Sequence, residues 1–216
     1  MSISVGVIDY GLGNLFSVCR ALEHCGANAK IISEASQLFS YPRLVLPGVG
    51  AFSGAMFNLK SLGFSDALIT YARSGRPILG ICLGMQLLFD VSEEFGEFSG
   101  LGLISGRISP VPETGIDDRP HKIPHVGWSK LYPPGKQWNS PLFSGISNEA
   151  SVYFVHSFAA SLNPLDQRVS ALTEYDGIPI VAAVELGNIY GCQFHPEKSG
   201  SVGLSILSNF LSIHAI

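Results

Sequence analysis

Charge is scarce in this chain: Asp, Glu, Lys and Arg make up 14% of its 216 residues, against about 25% in an average soluble domain. Its 13 Lys and Arg form no cluster and the formal net charge is -4, so neither nucleic acid nor an anionic membrane surface is an expected partner. No apolar stretch is long enough to span a bilayer, and no basic, apolar leader precedes the first apolar run. The expectation is a cytoplasmic chain unattached to a membrane. Cysteine is sparse as well. Cys19, Cys25, Cys82 and Cys192 form no C-x-x-C pair and no finger-like spacing with histidine, which argues against a structural zinc or a disulfide framework. Phe16 stands where a third glycine would complete a dinucleotide fingerprint begun by Gly11 and Gly13, and no G-x-x-x-x-G-K-[ST] loop occurs. Nucleotide binding is therefore not expected, nor is any cofactor or metal. With a mean hydropathy of +0.31, the shortage of charge leaves less polar surface to cover the exterior and points to a sizeable protein–protein interface.

What the chain does have is alternation. Ile3 to Ile8 reads as a buried strand, followed by the turn Asp9 to Gly13. Asn14 is placed to cap a helix whose apolar positions Leu15, Val18, Cys19 and Leu22 fall at helical spacing, with Gly26 as its stop. Further strands are expected at 29–32 and 43–46, a helix over 64–74, and a strand from 77 to 81. Repeated β-α units of this kind imply a parallel sheet covered by helices. After Phe98 the pattern changes to strands at 101–111, 126–132, 152–158, 169–175, 181–186 and 189–194, separated by Gly, Pro, Asn and Asp. A helix over 202–213 closes the chain. There is no internal repeat and no linker, so residues 1–216 are expected to form a single domain.

The chemistry concentrates at Gly80-Ile81-Cys82-Leu83-Gly84, between the apolar run 77–81 and the helix-like segment Met85 to Phe89. Strand, glycine-flanked nucleophile, helix is the thiol counterpart of the G-x-S-x-G elbow, in which a tight turn exposes the reactive atom at the top of a sheet. A helix at that point aims its free N–H groups and positive end at the sulfur, favouring thiolate. Downstream, Gln193-Phe194-His195-Pro196-Glu197 offers an imidazole with a carboxylate two residues on. In an extended segment the two point to the same side, so that Glu197 can fix the ring of His195. Pro196 places them at a strand end. Cys192 alternates with Phe194, away from His195, and is read as packing. Cys82, His195 and Glu197 are the expected nucleophile, base and orienting carboxylate.

Leu79 to Gln86 together with Phe194 to Glu197 resembles the class I, triad-type glutamine amidotransferases. More narrowly the chain resembles the glutaminase subunits of imidazole glycerol phosphate synthase. Five blocks carry that narrower likeness: Asp9 to Asn14, Leu46 to Phe52, Ile123 to Trp128, Tyr153 to Phe158, and Gln193 to Ser199. Phe16 and Ser129 depart from residues common in the family. The resemblance implies a flavodoxin-like α/β fold, a central, mostly parallel sheet flanked by helices with an additional antiparallel portion. It implies hydrolysis of L-glutamine to glutamate and ammonia, with Leu83 N–H and the Gly48-Val49-Gly50 loop, through Gly50, as oxyanion donors. Gln86, Ser157 and Phe158 would hold the substrate. It also implies a (β/α)₈-barrel cyclase as partner in a heterodimer of histidine biosynthesis, meeting the chain near Asn14, Trp128, Tyr153 and Lys198. Other readings are a different elbow-cysteine hydrolase, a glutaminase serving another pathway, and an idle regulatory subunit that keeps the fold.

Overall fold

The computed structural model of the chain describes residues 3–214. Strand β1 (Ile3–Ile8) leads into helix α1 (Leu15–His24), strands β2 (Ala27–Ile32) and β3 (Leu44–Gly48), and helices α2 (Phe52–Ser61) and α3 (Phe64–Arg73). Strand β4 (Ile78–Cys82) then runs directly into the one-turn helix α4 (Leu83–Gln86). The second half is mostly strand: β5 (Phe89–Ser92), β6 (Phe98–Ser99), β7 (Ile104–Pro110), β8 (His125–Lys130), β9 (Ser151–His156) and β10 (Phe158–Ala160). It finishes with β11 (Val169–Tyr175), β12 (Ile178–Leu186), β13 (Ile189–Cys192) and helix α5 (Gly200–Ser212). No described helix is long and apolar enough to cross a membrane.

A seven-stranded sheet runs in the order β11-β12-β13-β4-β3-β1-β2. From β2 to β13 neighbouring strands are parallel, and β12 and β11 extend the β13 edge antiparallel. This is the mixed sheet expected from the sequence. Every residue of β3 and β4 is buried, because helices cover both faces of a parallel sheet. Alternation then divides the core in two. Val45, Leu79 and Ile81 pack with the apolar sides of α1 and α5, and Leu44, Leu46 and Ile78 pack with those of α2 and α3. Two smaller sheets lie beyond, one of order β10-β7-β5-β6 and one a β8-β9 ribbon.

Several expectations need correction. The helix after Cys82 does not extend to Phe89. The carbonyls of Leu87, Leu88 and Phe89 accept instead from Leu101, from Leu103 and Ile104, and from Gly102, at 2.8–3.1 Å. Tertiary pairing thus ties the carbonyls that follow α4 to a distant segment, and the chain turns into β5. Asn14 heads α1 but its side chain makes no capping hydrogen bond. Gly26 does end that helix, at φ +84. The strand expected over 152–158 is two strands, since β9 pairs with β8 while β10 pairs with β7. Ser157 is the residue where the chain passes from one sheet to the other. Helix α2 and strands β5 and β6 lie where the sequence reading placed no element.

The turn from β4 to α4 is held by close backbone approach. A Cβ on Gly84 would overlap the Leu46 carbonyl oxygen, and one on Gly80 would stand 2.6 Å from the Gly84 oxygen. The overlap is with backbone, which cannot rotate aside. Gly84→Ala should therefore lower unfolding free energy by about 3 kcal/mol, the upper part of the range for forced overpacking. Denaturant unfolding of the variant checks this, and a loss below about 0.5 kcal/mol, the scatter of ordinary surface substitutions, contradicts it.

Candidate active site

Cys82 is both the last residue of β4 and the cap of α4, at φ +54 and ψ −112. For a residue with a side chain this is a strained conformation, costing about 1–3 kcal/mol. The surrounding packing holds it there and presents the thiol to a cavity of about 350 Å³ lined by Cys82, Leu83, Gln86 and His195 and by Val49, Gly50, Ser157 and Phe158. Such a volume lies at the small end of small-molecule sites. A larger hollow of about 520 Å³ around Asp166, Arg168 and Glu185 holds none of the elbow residues.

His195, the expected base, follows the neighbouring strand. β13 pairs with β4 in parallel, Cys192 opposite Ile81, so the chain leaving β13 emerges beside Cys82 at the same rim. There Tyr153 O accepts from His195 N at 2.9 Å, and the Ser199 hydroxyl donates to His195 O at 2.6 Å. Residues Pro196–Lys198 form a single 3-10 turn. Glu197 therefore reaches His195 by turning back rather than by the strand alternation expected from the sequence. Its Oε1 lies 2.8 Å from His195 Nδ1, with both side chains at most 2% exposed. Nδ1 thus donates to the carboxylate, and Nε2 is left without a hydrogen-bond partner among the described residues, on a residue that lines the same cavity as Cys82.

Two opposing influences act on His195. Burial works to lower its pKa, but the proximity of Cys82 and the hydrogen-bonded charge of Glu197 outweigh it and raise the value to about 9. A folded-state pKa above the ordinary 6.5 means that protonation stabilises the fold fully below about pH 6.5, and the contribution is lost as pH rises through about 9. Cys192 behaves oppositely to a reactive thiol. It is fully buried, and desolvation together with the nearby Glu197 pushes its pKa far up, in keeping with the packing role read from the sequence.

Gln86 is buried, and its amide donates to Phe158 O at 2.9 Å and to Gln193 Oε1 at 3.0 Å. The Gln193 amide in turn donates to Cys82 Sγ at 3.8 Å. Both N–H bonds of Gln86 are occupied in this way, leaving its Oε1 as an acceptor. The cavity also contains Glu94, whose carboxylate accepts from Phe52 N at 2.5 Å at the start of α2. The sequence reading gave no role to Glu94 or Gln193. Glu94 sits in a loop with no motif around it, whereas an amide between the buried Cys192 and Phe194 was a usable signal for Gln193. Leu83 supplies the first N–H of α4, which has no partner within the helix.

The four residues expected at a partner surface are only partly assembled. The Trp128 and Tyr153 rings meet edge to face at 6.2 Å, and Lys198 Nζ lies 6.0 Å from the Tyr153 ring centre. Trp128 is 58% exposed, large for an aromatic residue with no covering element. Asn14 stands apart from these three at the head of α1, a helix that packs beside the 196–198 turn. Phe16, 73% exposed on the same helix, extends the apolar surface there.

The glutamine amidotransferase class-I family model matches residues 6–213. The chain belongs to that family. Among its curated relatives, imidazole glycerol phosphate synthase subunit HisH 1 of Legionella pneumophila (strain Lens) is 49% identical over 212 residues, 97% of this chain and 99% of the relative. The subunit HisH of Wolinella succinogenes is 48% identical over 209 residues, with 97% and 99% covered. Among solved structures, PurLQS from Thermotoga maritima superposes with a TM-score of 0.73 at 20% identity, covering 98% of each chain. A structure described as a glutamine amidotransferase gives 0.72 at 18% identity, covering 97% and 99%. At such identities these likenesses speak for the fold, which is the amidotransferase α/β fold read from the sequence.

Glu197→Gln removes one influence that raises the His195 pKa and leaves burial in place. In an NMR titration the His195 midpoint should fall from about 9 to a clearly lower pH. An unmoved midpoint contradicts the pairing. Cys82→Ala should lower it as well, because the sulfur is the other raising partner.

Proposed function

We propose that this chain hydrolyses L-glutamine at Cys82, His195 and Glu197 and delivers the ammonia to a cyclase subunit of imidazole glycerol phosphate synthase. The carrying observation is one small cavity that brings together a thiol on a strained residue, an imidazole oriented by a buried carboxylate, and an elbow with free backbone N–H groups. The names of relatives nearly half identical over almost their whole length support the pathway.

The steps follow from the geometry. His195 Nε2 takes the proton of the Cys82 thiol as the sulfur attacks the amide carbon, forming a C–S bond and moving the carbonyl electron pair onto oxygen. Leu83 N–H and an N–H of the Val49–Gly50 segment, both bordering the cavity, are the donors for that oxyanion. When the oxyanion collapses the C–N bond breaks, and the His195 imidazolium gives its Nε2 proton to the departing ammonia. Water then enters, loses a proton to Nε2, attacks the thioester carbon and expels the sulfur. Glutamate leaves, and Nε2 returns its proton to the sulfur. Glu197 keeps the ring in one orientation throughout.

Substrate capture suits an amino acid. Gln86 Oε1 and the Glu94 carboxylate are acceptors matched to an α-ammonium group, and the Ser157–Phe158 backbone borders the other side. The surface of Trp128, Tyr153 and Lys198, with Asn14 and Phe16 on α1, is the docking face for a (β/α)₈-barrel cyclase in this reading, giving a heterodimer. Ammonia is readily protonated and lost to solvent, so a docked consumer preserves it. A reactive thiol needs a reducing compartment, which assigns the work to the cytoplasm. One amidotransferase domain spans the chain, as the family match over 6–213 supports.

Cys82→Ala should abolish glutamine-dependent cyclisation while leaving the cyclase active with added ammonium salt, measured on the assembled complex. Full glutamine-dependent activity in this variant would remove the proposal. Trp128→Ala should leave the fold intact and weaken association with the cyclase by about 10-fold or more, the size of effect seen for exposed aromatic anchors at protein interfaces. Titration calorimetry reads this, and unchanged affinity contradicts the assigned docking face.

A further inference from the structure

Two buried histidines that the proposed mechanism does not use lie behind the cavity. His125 and His156 face each other across the β8-β9 ribbon and are 1% and 6% exposed. Their contacts form a line. His156 Nδ1 is 3.0 Å from Phe158 O, His156 Nε2 is 3.0 Å from His125 Nδ1, and His125 Nε2 is 2.9 Å from the Ser129 hydroxyl.

The direction of every bond in this line is forced. A carbonyl oxygen only accepts, so His156 Nδ1 must carry its hydrogen. In a neutral ring Nε2 is then an acceptor, which requires a hydrogen on His125 Nδ1. His125 Nε2 is left as an acceptor, and the Ser129 hydroxyl donates to it. His156 must be neutral for the line to hold, and with His125 neutral as well the Ser129 hydroxyl is the donor at its end. Burial supplies that condition, pressing the His156 pKa down to about 3 with smaller pushes from His125 and His195, and lowering that of His125. Asp176 works in the opposite sense on His125 but is outweighed.

The line ends on an atom of the candidate substrate site. Phe158 O accepts from His156 Nδ1 and also from Gln86 Nε2, so both of its lone pairs are engaged. That fixes the Phe158–Ala159 peptide, one residue past the point at which the chain leaves the β8-β9 ribbon for the other small sheet. The same two strands carry Trp128 and Tyr153 on the opposite face.

We propose that His156, backed by His125 and Ser129, is a positioning residue for glutamine. It locks the Phe158 carbonyl, and with it the Ser157–Phe158 wall and Gln86, in the geometry that receives the substrate. The proposal rests on the glutamine site proposed above. Simple packing is the competing account, since His125 also stacks between Phe154 and Tyr175 at ring distances of 5.0 and 4.1 Å. Packing alone is indifferent to which ring nitrogen holds the hydrogen.

The test separates the two. Equilibrium binding of radiolabelled glutamine is measured on the full chain carrying Cys82→Ala, together with the cyclase subunit, so that turnover does not intervene. Adding His156→Gln places an amide where Nε2 was and leaves Phe158 O without its second donor. Binding should weaken about 10-fold, the equivalent of one lost hydrogen bond. Adding His156→Asn instead places an amide N–H where Nδ1 was, and should recover most of that loss. Equal binding by the parent and His156→Gln overturns the proposal, and so does an equal loss in both variants. If the Cys82→Ala parent binds no glutamine, the glutaminase reading fails instead. The positioning line is then still decided by nitrogen-15 NMR of the wild-type imidazoles, which also covers a variant that does not fold. Both rings should show a protonated Nδ1 and a bare Nε2. A protonated Nε2 on either ring overturns the proposal.

Discussion

The close passage of the β4–α4 turn beneath β3 is the constraint from which the rest of the site follows. Gly84 lies so near the Leu46 carbonyl, and Gly80 so near Gly84, that neither position admits a side chain. With both neighbours reduced to backbone, Cys82 is driven into its left-handed conformation and its sulfur emerges from the end of a fully buried strand. The strain at that residue is small beside the burial of the strands around it. A nucleophile that must stay in an unfavourable backbone region is best rooted in the least deformable part of the molecule, and the middle of a parallel sheet is that part.

Two buried imidazoles near the cavity meet opposite fates, and the difference lies in their neighbours. His195 and His156 are both withdrawn from water, which disfavours charge in each. His195 has Glu197 at 2.8 Å and the sulfur nearby, and its pKa rises. His156 has a carbonyl and another histidine, and its pKa falls. One ring can carry a proton through a reaction, while the other can serve only as a fixed donor. Environments that push like groups apart in this way are how one pocket contains both a participant and a scaffold.

Much of this could be read in the residues themselves. The glycine-flanked Cys82 and the His195-Pro196-Glu197 segment led to the triad, and the alternating apolar runs led to the parallel sheet. Where the reading failed, local pattern had competed with distant partners. Leu87, Leu88 and Phe89 are as apolar as a helix face, but their carbonyls are taken by residues beyond 100, and a short apolar run cannot declare which it will be. Helix α2 was legible in principle, because Phe52, Ala55, Met56 and Leu59 recur at helical spacing and are all buried. The bond between Glu197 and His195 was anticipated, but the 3-10 turn that makes it was not. Glu94 gave no signal, since its place in the cavity comes from a loop whose path only the folded chain sets.

The proposed nucleophile ends β4, and the proposed base lies three residues beyond β13, the strand hydrogen-bonded to it. Neighbouring strands keep a spacing of about 4.8 Å, and shearing them apart would break a ladder in the interior of the sheet. The sheet therefore fixes the two points from which the proposed pair departs. Any change that turns the chemistry up or down has to act on what borders the pair without belonging to the sheet, namely the Val49–Gly50 segment on one side and the Ser157–Phe158 junction on the other.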